Sequence, residues 1–88
     1  MNTIYLFIIN NILNLEVNTT IGVRQIATFP LPLIDADAMA IIVMFRVIKR
    51  LIPDINVAWS LDVANHTDPL LQKVIDPNYV YPMQEIYA

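Results

Sequence analysis

The sequence contains no cysteine, a single glycine and few charged side chains. Without cysteine the 88 residues cannot form a disulfide, bind a metal through thiolates, hold an iron–sulfur cluster by cysteine or use a cysteine nucleophile. Charged residues make up 15% of the chain, the formal net charge is −3, and the longest basic run is Lys49-Arg50. Nucleic acid is therefore not an expected partner.

Long apolar runs are also missing, although 57% of the residues are hydrophobic. A transmembrane helix needs about 20 consecutive apolar residues. The longest runs here, 4–9 and 38–45, are ended by Asn10 and Arg46. No positive charge precedes the first run, so it is not typical of a signal peptide. We expect a cytoplasmic protein with no membrane contact.

The size of the chain indicates one small domain or part of a larger one. We treat 1–88 as a single partial domain with an apolar N-terminal element at 1–21, a folded unit at 22–76 and a tail at 77–88. A domain this small buries only about 60 to 65% of the surface of its unfolded chain. With so many apolar residues, we expect something else to cover the remaining surface.

Two segments of the central unit have clear secondary-structure signals. Residues 23–29 combine apolar and β-branched side chains and stop at Pro30, which predicts a short strand. Residues 38–52 show helical periodicity, with acids before the start and Pro53 after the end. The spacing gives this helix an apolar face of Ile41, Phe45, Ile48 and Ile52 and a basic face of Arg46, Lys49 and Arg50.

The flanking segments complete a strand–helix–strand–helix order. Residues 55–62 predict a second strand that presents Ser60 and Asp62 on one side of its carboxyl end. Asp68 followed by Pro69 predicts the start of a short helix over 69–75. Residues 3–15 fit either a strand or a helix, and we expect a helix over 8–15. Residues 77–88 predict an irregular tail.

Strands joined through a helix imply parallel pairing, and both faces of a parallel sheet are normally covered. Two or three strands cannot achieve that coverage alone. The predicted fold class is therefore α/β, a β-α-β-α excerpt of a larger sheet or (β/α)8 barrel. In such folds the chemistry lies at the carboxyl ends of the strands, near Ser60 and Asp62.

Three segments carry a resemblance to a known family: 22–29 (GVRQIATF), 40–54 (AIIVMFRVIKRLIPD) and 55–63 (INVAWSLDV). Together they resemble late barrel units of the radical S-adenosylmethionine enzymes, in particular the methylornithine synthases of pyrrolysine biosynthesis. The segment 70–76 is similar to the next helix of that family, and biotin and deazaflavin synthases are more distantly similar. The resemblance covers about 22–76.

The resemblance implies a (β/α)8 barrel that isomerises lysine to methylornithine with a [4Fe–4S] cluster and S-adenosylmethionine. It also implies that Arg24, Ser60 and Asp62 hold a small amino-acid substrate. Guanidinium suits the carboxylate, while serine and aspartate oxygens accept from an ammonium group. Without the resemblance, Arg24 is an ordinary solvated strand residue, Ser60 a turn former and Asp62 a surface cap.

The chain departs from this family in a way that limits its chemistry. It lacks the three cluster-binding cysteines, and the loop after the first strand is reduced to Pro-Leu-Pro-Leu at 30–33. No cofactor or metal is therefore expected on this chain alone, since His66 is the only histidine. The first hypothesis is a fragment or truncated relative of the mutase that needs the missing barrel half, which leaves its status as an enzyme open.

A second hypothesis belongs to a different class of function. The apolar surplus fits a small non-catalytic α/β protein that associates with itself or a partner through an exposed apolar surface. In that case the family likeness reflects only a common strand–helix–strand pattern.

Overall fold

The computed structural model describes residues 2–77. In this range the chain forms four strands and three helices. The strands are β1 (Thr3–Ile9), β2 (Ile12–Thr19), β3 (Gly22–Pro30) and β4 (Asn56–Trp59). The helices are α1 (Asp35–Leu51), α2 (Leu61–Ala64) and α3 (Pro69–Ile75). The part of the predicted tail that follows residue 77 lies outside the described residues.

The N-terminal segment is a β-hairpin, so the expected helix over 8–15 is wrong. β1 and β2 pair antiparallel up to Ile9 opposite Ile12. The two turn residues, Asn10 and Asn11, have φ of 52° and 60°, as a type I′ hairpin turn requires. Asparagine tolerates this left-handed conformation better than most residues. Burial alternates along β1, as expected for a strand: Leu6 is fully buried, whereas the residues on either side of it are only half-buried.

The sheet is mixed and has the strand order β3-β2-β1-β4. β1, β2 and β3 form an antiparallel meander, and β4 pairs parallel with β1. The predicted partial (β/α)8 barrel is therefore wrong: the chain is a small α+β fold. The reason is the unpredicted hairpin, which places β1 and β2 between the two predicted strands. β3 and β4 run in the same direction but lie at opposite edges of the sheet.

The four elements predicted after residue 22 all form, three of them with different boundaries. The strand predicted over 23–29 is β3, which is one residue longer at each end. The helix predicted over 38–52 is α1 and begins earlier, at Asp35; the carboxylate of Asp37 accepts from the amide of Ile34 at 3.4 Å. The helix predicted over 69–75 has the bounds of α3. The strand predicted over 55–62 ends at Trp59 because Ser60 caps α2.

All three helices contribute to one core on a single face of the sheet. On this helix-covered face the strands bury Ile4, Leu6, Leu13 and Leu15 completely. The helices bury Ala38, Ile41, Val63 and Leu71 against them. Burying each of the valine, leucine and isoleucine side chains in this core contributes about 1.5 to 3 kcal/mol. No helix among residues 2–77 is long and apolar enough to cross a bilayer.

The opposite face of the sheet, here called the open face, carries no described helix. The rings of Tyr5 and Phe7 stack there with centroids 5.6 Å apart. Beside them the amide of Gln25 donates to the side-chain oxygen of Asn14, which is 8% exposed. Mixed aromatic and amide side chains allow this face to meet water, as one face of an antiparallel sheet commonly does.

Candidate functional site

The structure separates the three residues that the resemblance assigns to a substrate. Arg24 lies on β3 opposite Val17, which pairs with Ile4 of β1. Ser60 follows β4, and its amide donates to the carbonyl of Leu6. Across the sheet the two backbones are three strand spacings of about 4.8 Å apart, and along the strands they are three residues of about 3.3 Å apart. Together these offsets separate the two backbones by roughly 17 Å. The amino and carboxyl groups of one amino acid span about one residue length, roughly 3.5 Å.

Ser60 and Asp62 lie close to each other, but both belong to the start of α2 and have local structural roles there. The Ser60 hydroxyl accepts from the amide of Val63 at 3.4 Å and caps α2. Asp62 is exposed in the first turn of that helix, where a carboxylate suits the helix dipole. Ser60 is therefore the capping residue and Asp62 an exposed residue of the first turn, whereas the residues without the resemblance predict Ser60 as a turn former and Asp62 as the cap.

Asp68 joins two distant parts of the chain. It is 6% exposed, and its carboxylate accepts from the amide of Leu70 at 3.2 Å, which caps α3. The other carboxylate oxygen accepts from the amide of Leu33, 35 residues earlier, at 2.8 Å. The N-cap was predicted from the Asp-Pro pair, whereas the contact with Leu33 was not, because it depends on the tertiary fold.

His66 and Gln72 complete the network around Asp68. The Nδ1 atom of His66 accepts from the amide of Asp68 at 3.1 Å. The side-chain amide of Gln72 donates to the carbonyls of His66 at 2.7 Å and Val63 at 3.0 Å. The single histidine therefore has a structural role here. Among residues 2–77, no group of three or more histidine, aspartate and glutamate side chains is placed to hold a metal ion.

An apolar groove runs along the outer side of β4, on the helix-covered face. Its first half lies beside the start of the strand and its second half beside the end, and the two share Phe45 and Val57. Trp59 and Ile42 line the second half. Trp59 is 37% exposed, so packing near α1 covers only part of its ring system. This surface is called the β4 groove below.

The backbone of β4 has hydrogen-bonding groups directed away from the sheet. The amide of Ser60 donates to the carbonyl of Leu6 in β1, and that of Asn56 to the carbonyl of Asn2, directly before β1. Because backbone direction alternates along a strand, the N–H and C=O groups of Val57 and Trp59 point to the other side. Within the part of the chain that the structure describes, no strand lies on that side. An edge of this kind can pair with another chain.

The two halves of the β4 groove carry opposite charges. Arg46, Lys49 and Arg50 line the half beside the start of β4. They are three of the five basic residues in the chain. The Lys49 ammonium donates to the carbonyl of Ile55 at 3.1 Å. Asp76 lines the other half, beside Trp59.

The opposite edge of the sheet, β3, contains features that oppose strand pairing. The pairing of β3 with β2 has an irregularity between Leu15 and Glu16 of β2. Ile26 of β3 is left without a partner residue in β2 at this point. It also carries the charge of Arg24 and ends at Pro30. Bulges, charges and prolines are devices that protect edge strands. The four residues of β4 contain neither a charge nor a proline.

A second apolar patch surrounds the start of β3 and the end of α1. Ile21 is 97% exposed and Leu51 75% exposed, and both line the same shallow depression as Val23. This patch has the apolar character of an interaction surface, but the strand beside it is protected as described above. The β4 groove combines apolar side chains, opposite charges and open backbone groups.

Comparison with family models, with curated proteins and with solved structures found no match. The resemblance to radical S-adenosylmethionine enzymes therefore stays a prediction.

Proposed function

We propose that this chain is a non-catalytic interaction protein whose binding surface is the β4 groove with the open edge of β4. The observation that carries the proposal is the coincidence of three features on one strand. Outward backbone groups, exposed Val57 and Trp59 side chains, and a charged rim lie together. Proteins that bind a partner as an additional strand at the edge of a sheet use this combination. The backbone hydrogen bonds provide affinity, and the side-chain pockets beside the strand provide specificity.

The proposal follows the second of the two hypotheses from the sequence. The hypothesis of a mutase fragment relied on a barrel, which is not the fold of this chain. Its three substrate residues are also divided between opposite edges of the sheet. We further propose a cytoplasmic location, in keeping with the absence of cysteine.

Site-specific photocrosslinking in the source cells tests this function. Trp59 is replaced by p-benzoylphenylalanine, an aromatic residue that reacts on illumination with whatever lies within contact distance. The matched control carries the same residue in place of Thr28, which is exposed on β3 and outside the β4 groove. We expect a protein adduct at position 59 and little at position 28.

The outcomes of the crosslinking experiment are distinct. An adduct specific to position 59 supports a docking surface on β4, whatever the mass of the captured protein. Equal labelling at both positions, or none at position 59 in a folded protein, contradicts the proposed function.

A further inference from the structure

We infer that the occupant of the β4 groove is a second copy of this chain, paired antiparallel along β4 in a two-fold symmetric dimer. This inference rests on the proposed function, since it names the partner of the same surface. A two-fold axis perpendicular to the sheet would join the two sheets into one, with strand order β3-β2-β1-β4 continuing into β4-β1-β2-β3 of the partner. The helices of both copies would then lie on the same side.

The available backbone groups select one register for this pairing. Residues facing each other across antiparallel strands must point to the same face of the sheet. That rule allows Val57 to lie opposite Val57 of the second copy, opposite Trp59, or opposite Leu61, which belongs to helix α2 and cannot extend the ladder. The first register also needs Ile55, whose amide donates to Ile52 and whose carbonyl accepts from Lys49. Only the second register uses backbone groups that have no partner among residues 2–77.

In the selected register, Ala58 lies on the two-fold axis and Val57 faces Trp59 twice. Each Val57–Trp59 pair exchanges two backbone hydrogen bonds, because the groups of both residues point outward. Aromatic and β-branched side chains are a favourable cross-strand combination. They would meet on the helix-covered face, over the two apolar grooves.

Charge complementarity supports the same antiparallel direction. When the strands run in opposite directions, the start of one β4 lies beside the end of the other. The basic half of one groove, with Arg46 and Arg50, then faces the acidic half of the other, with Asp76. The contact forms twice by symmetry. A parallel arrangement would instead place basic halves side by side, and like charges oppose association.

Disulfide trapping tests the register directly, because the chain has no cysteine of its own. In Ala58→Cys the two thiols would face each other across a non-hydrogen-bonded pair, with Cα atoms about 4.5 Å apart, within disulfide range. The matched control is Asn56→Cys on the same strand and face. Its two copies would be four residues out of register, roughly 13 Å apart along the strand. Each purified variant is incubated with oxidised glutathione as the oxidant.

We expect Ala58→Cys to convert mostly into a covalent species of twice the 10.1 kDa chain mass, while Asn56→Cys stays monomeric. A monomeric Ala58→Cys, or equal dimer in both variants, overturns the inference. If Ala58→Cys does not crosslink but position 59 still captures another protein in cells, the occupant is a different partner and the proposed function stands. If position 59 captures only residues 78–88 of its own chain, both proposals fail.

Charge variants provide an independent measurement that does not depend on a thiol. Arg46→Glu with Arg50→Glu, and separately Asp76→Lys, would each place like charges at both symmetric contacts. In sedimentation velocity we expect each variant to dimerise about tenfold more weakly than the unchanged chain or worse. An equimolar mixture of the two restores opposite charges at both contacts and should form a heterodimer. An unchanged chain that stays monomeric at every concentration, or a mixture without heterodimer, contradicts the inference.

Discussion

Replacing Asp68 by alanine is expected to lower the free energy of unfolding by about 3 kcal/mol. The carboxylate accepts two backbone hydrogen bonds while only 6% of the residue is exposed. Loss of the N-cap to Leu70 accounts for about 1 kcal/mol. The buried amide of Leu33 loses a bond to a charged acceptor, which contributes about 2 kcal/mol.

Asp68→Ser separates the two contributions. Serine can still cap α3 through its hydroxyl, but its shorter side chain cannot also reach Leu33. We therefore expect Asp68→Ser to lose about 2 kcal/mol and alanine about 1 kcal/mol more. The exposed Asp62→Ala is the control and should cost no more than about 1 kcal/mol.

The assay is urea unfolding followed by Trp59 fluorescence, with thermal unfolding as a second probe, at one fixed protein concentration. For a domain of this size, 3 kcal/mol corresponds to a fall in Tm of roughly 12 to 24 °C. An Asp68→Ala variant less than about 1 kcal/mol below the unchanged chain would refute the reasoning that Asp68 joins α3 to the loop before α1. Equal losses for serine and alanine would refute the division between the two bonds.

Three further predictions follow from other parts of the structure. Asn10→Val should destabilise the hairpin by about 1 to 2 kcal/mol because a β-branched residue opposes positive φ, whereas Asn10→Gly should not; urea midpoints compare them. Gln72→Ala should cost about 1 to 2 kcal/mol by removing two hydrogen bonds, and Gln72→Glu, which cannot donate, should cost at least as much in the same assay. Lysine at millimolar concentration should give no binding heat in calorimetry; heat abolished by both Arg24→Ala and Ser60→Ala would contradict the separation of these residues.

Two of the three helices, α1 and α3, were predictable because their signals are local, whereas α2 was not predicted. Asp68 and Pro69 lie next to each other in the sequence and define the start of α3. The periodic apolar residues of α1, its acidic first turn and its basic last turn lie within 17 residues. The predicted start of α1 was three residues late, since both Asp35 and Asp37 were acceptable start signals, and the predicted end was one residue late.

The hairpin was mispredicted because one pattern fits two structures. Ile4, Phe7, Ile8 and Ile12 have helical spacing, although residues 4–9 have the composition of a strand. The deciding signal was the Asn10-Asn11 pair between two isoleucines, which favours a type I′ turn. Without β1 and β2, the prediction has no partner for β4 except β3. The two strands joined by α1 then resemble neighbouring strands of a barrel.

The candidate surface was predictable only in general terms. The apolar surplus indicated that something covers the chain, but its location depends on which strand lies at an unprotected edge. That depends on the parallel pairing of β4 with β1, two segments more than 50 residues apart. The arginines of α1 were predicted on the polar face, and only the fold places them beside β4.

Amide hydrogen exchange of β4, measured by NMR at several protein concentrations, tests the central claim most directly. The amides of Asn56 and Ser60 donate to the carbonyls of Asn2 and Leu6 and should exchange slowly at every concentration. Those of Val57 and Trp59 should exchange fast in dilute protein and become protected as concentration rises, because the second copy supplies their acceptors. Slow exchange of all four amides at every concentration, or fast exchange of Val57 and Trp59 throughout, would contradict the account.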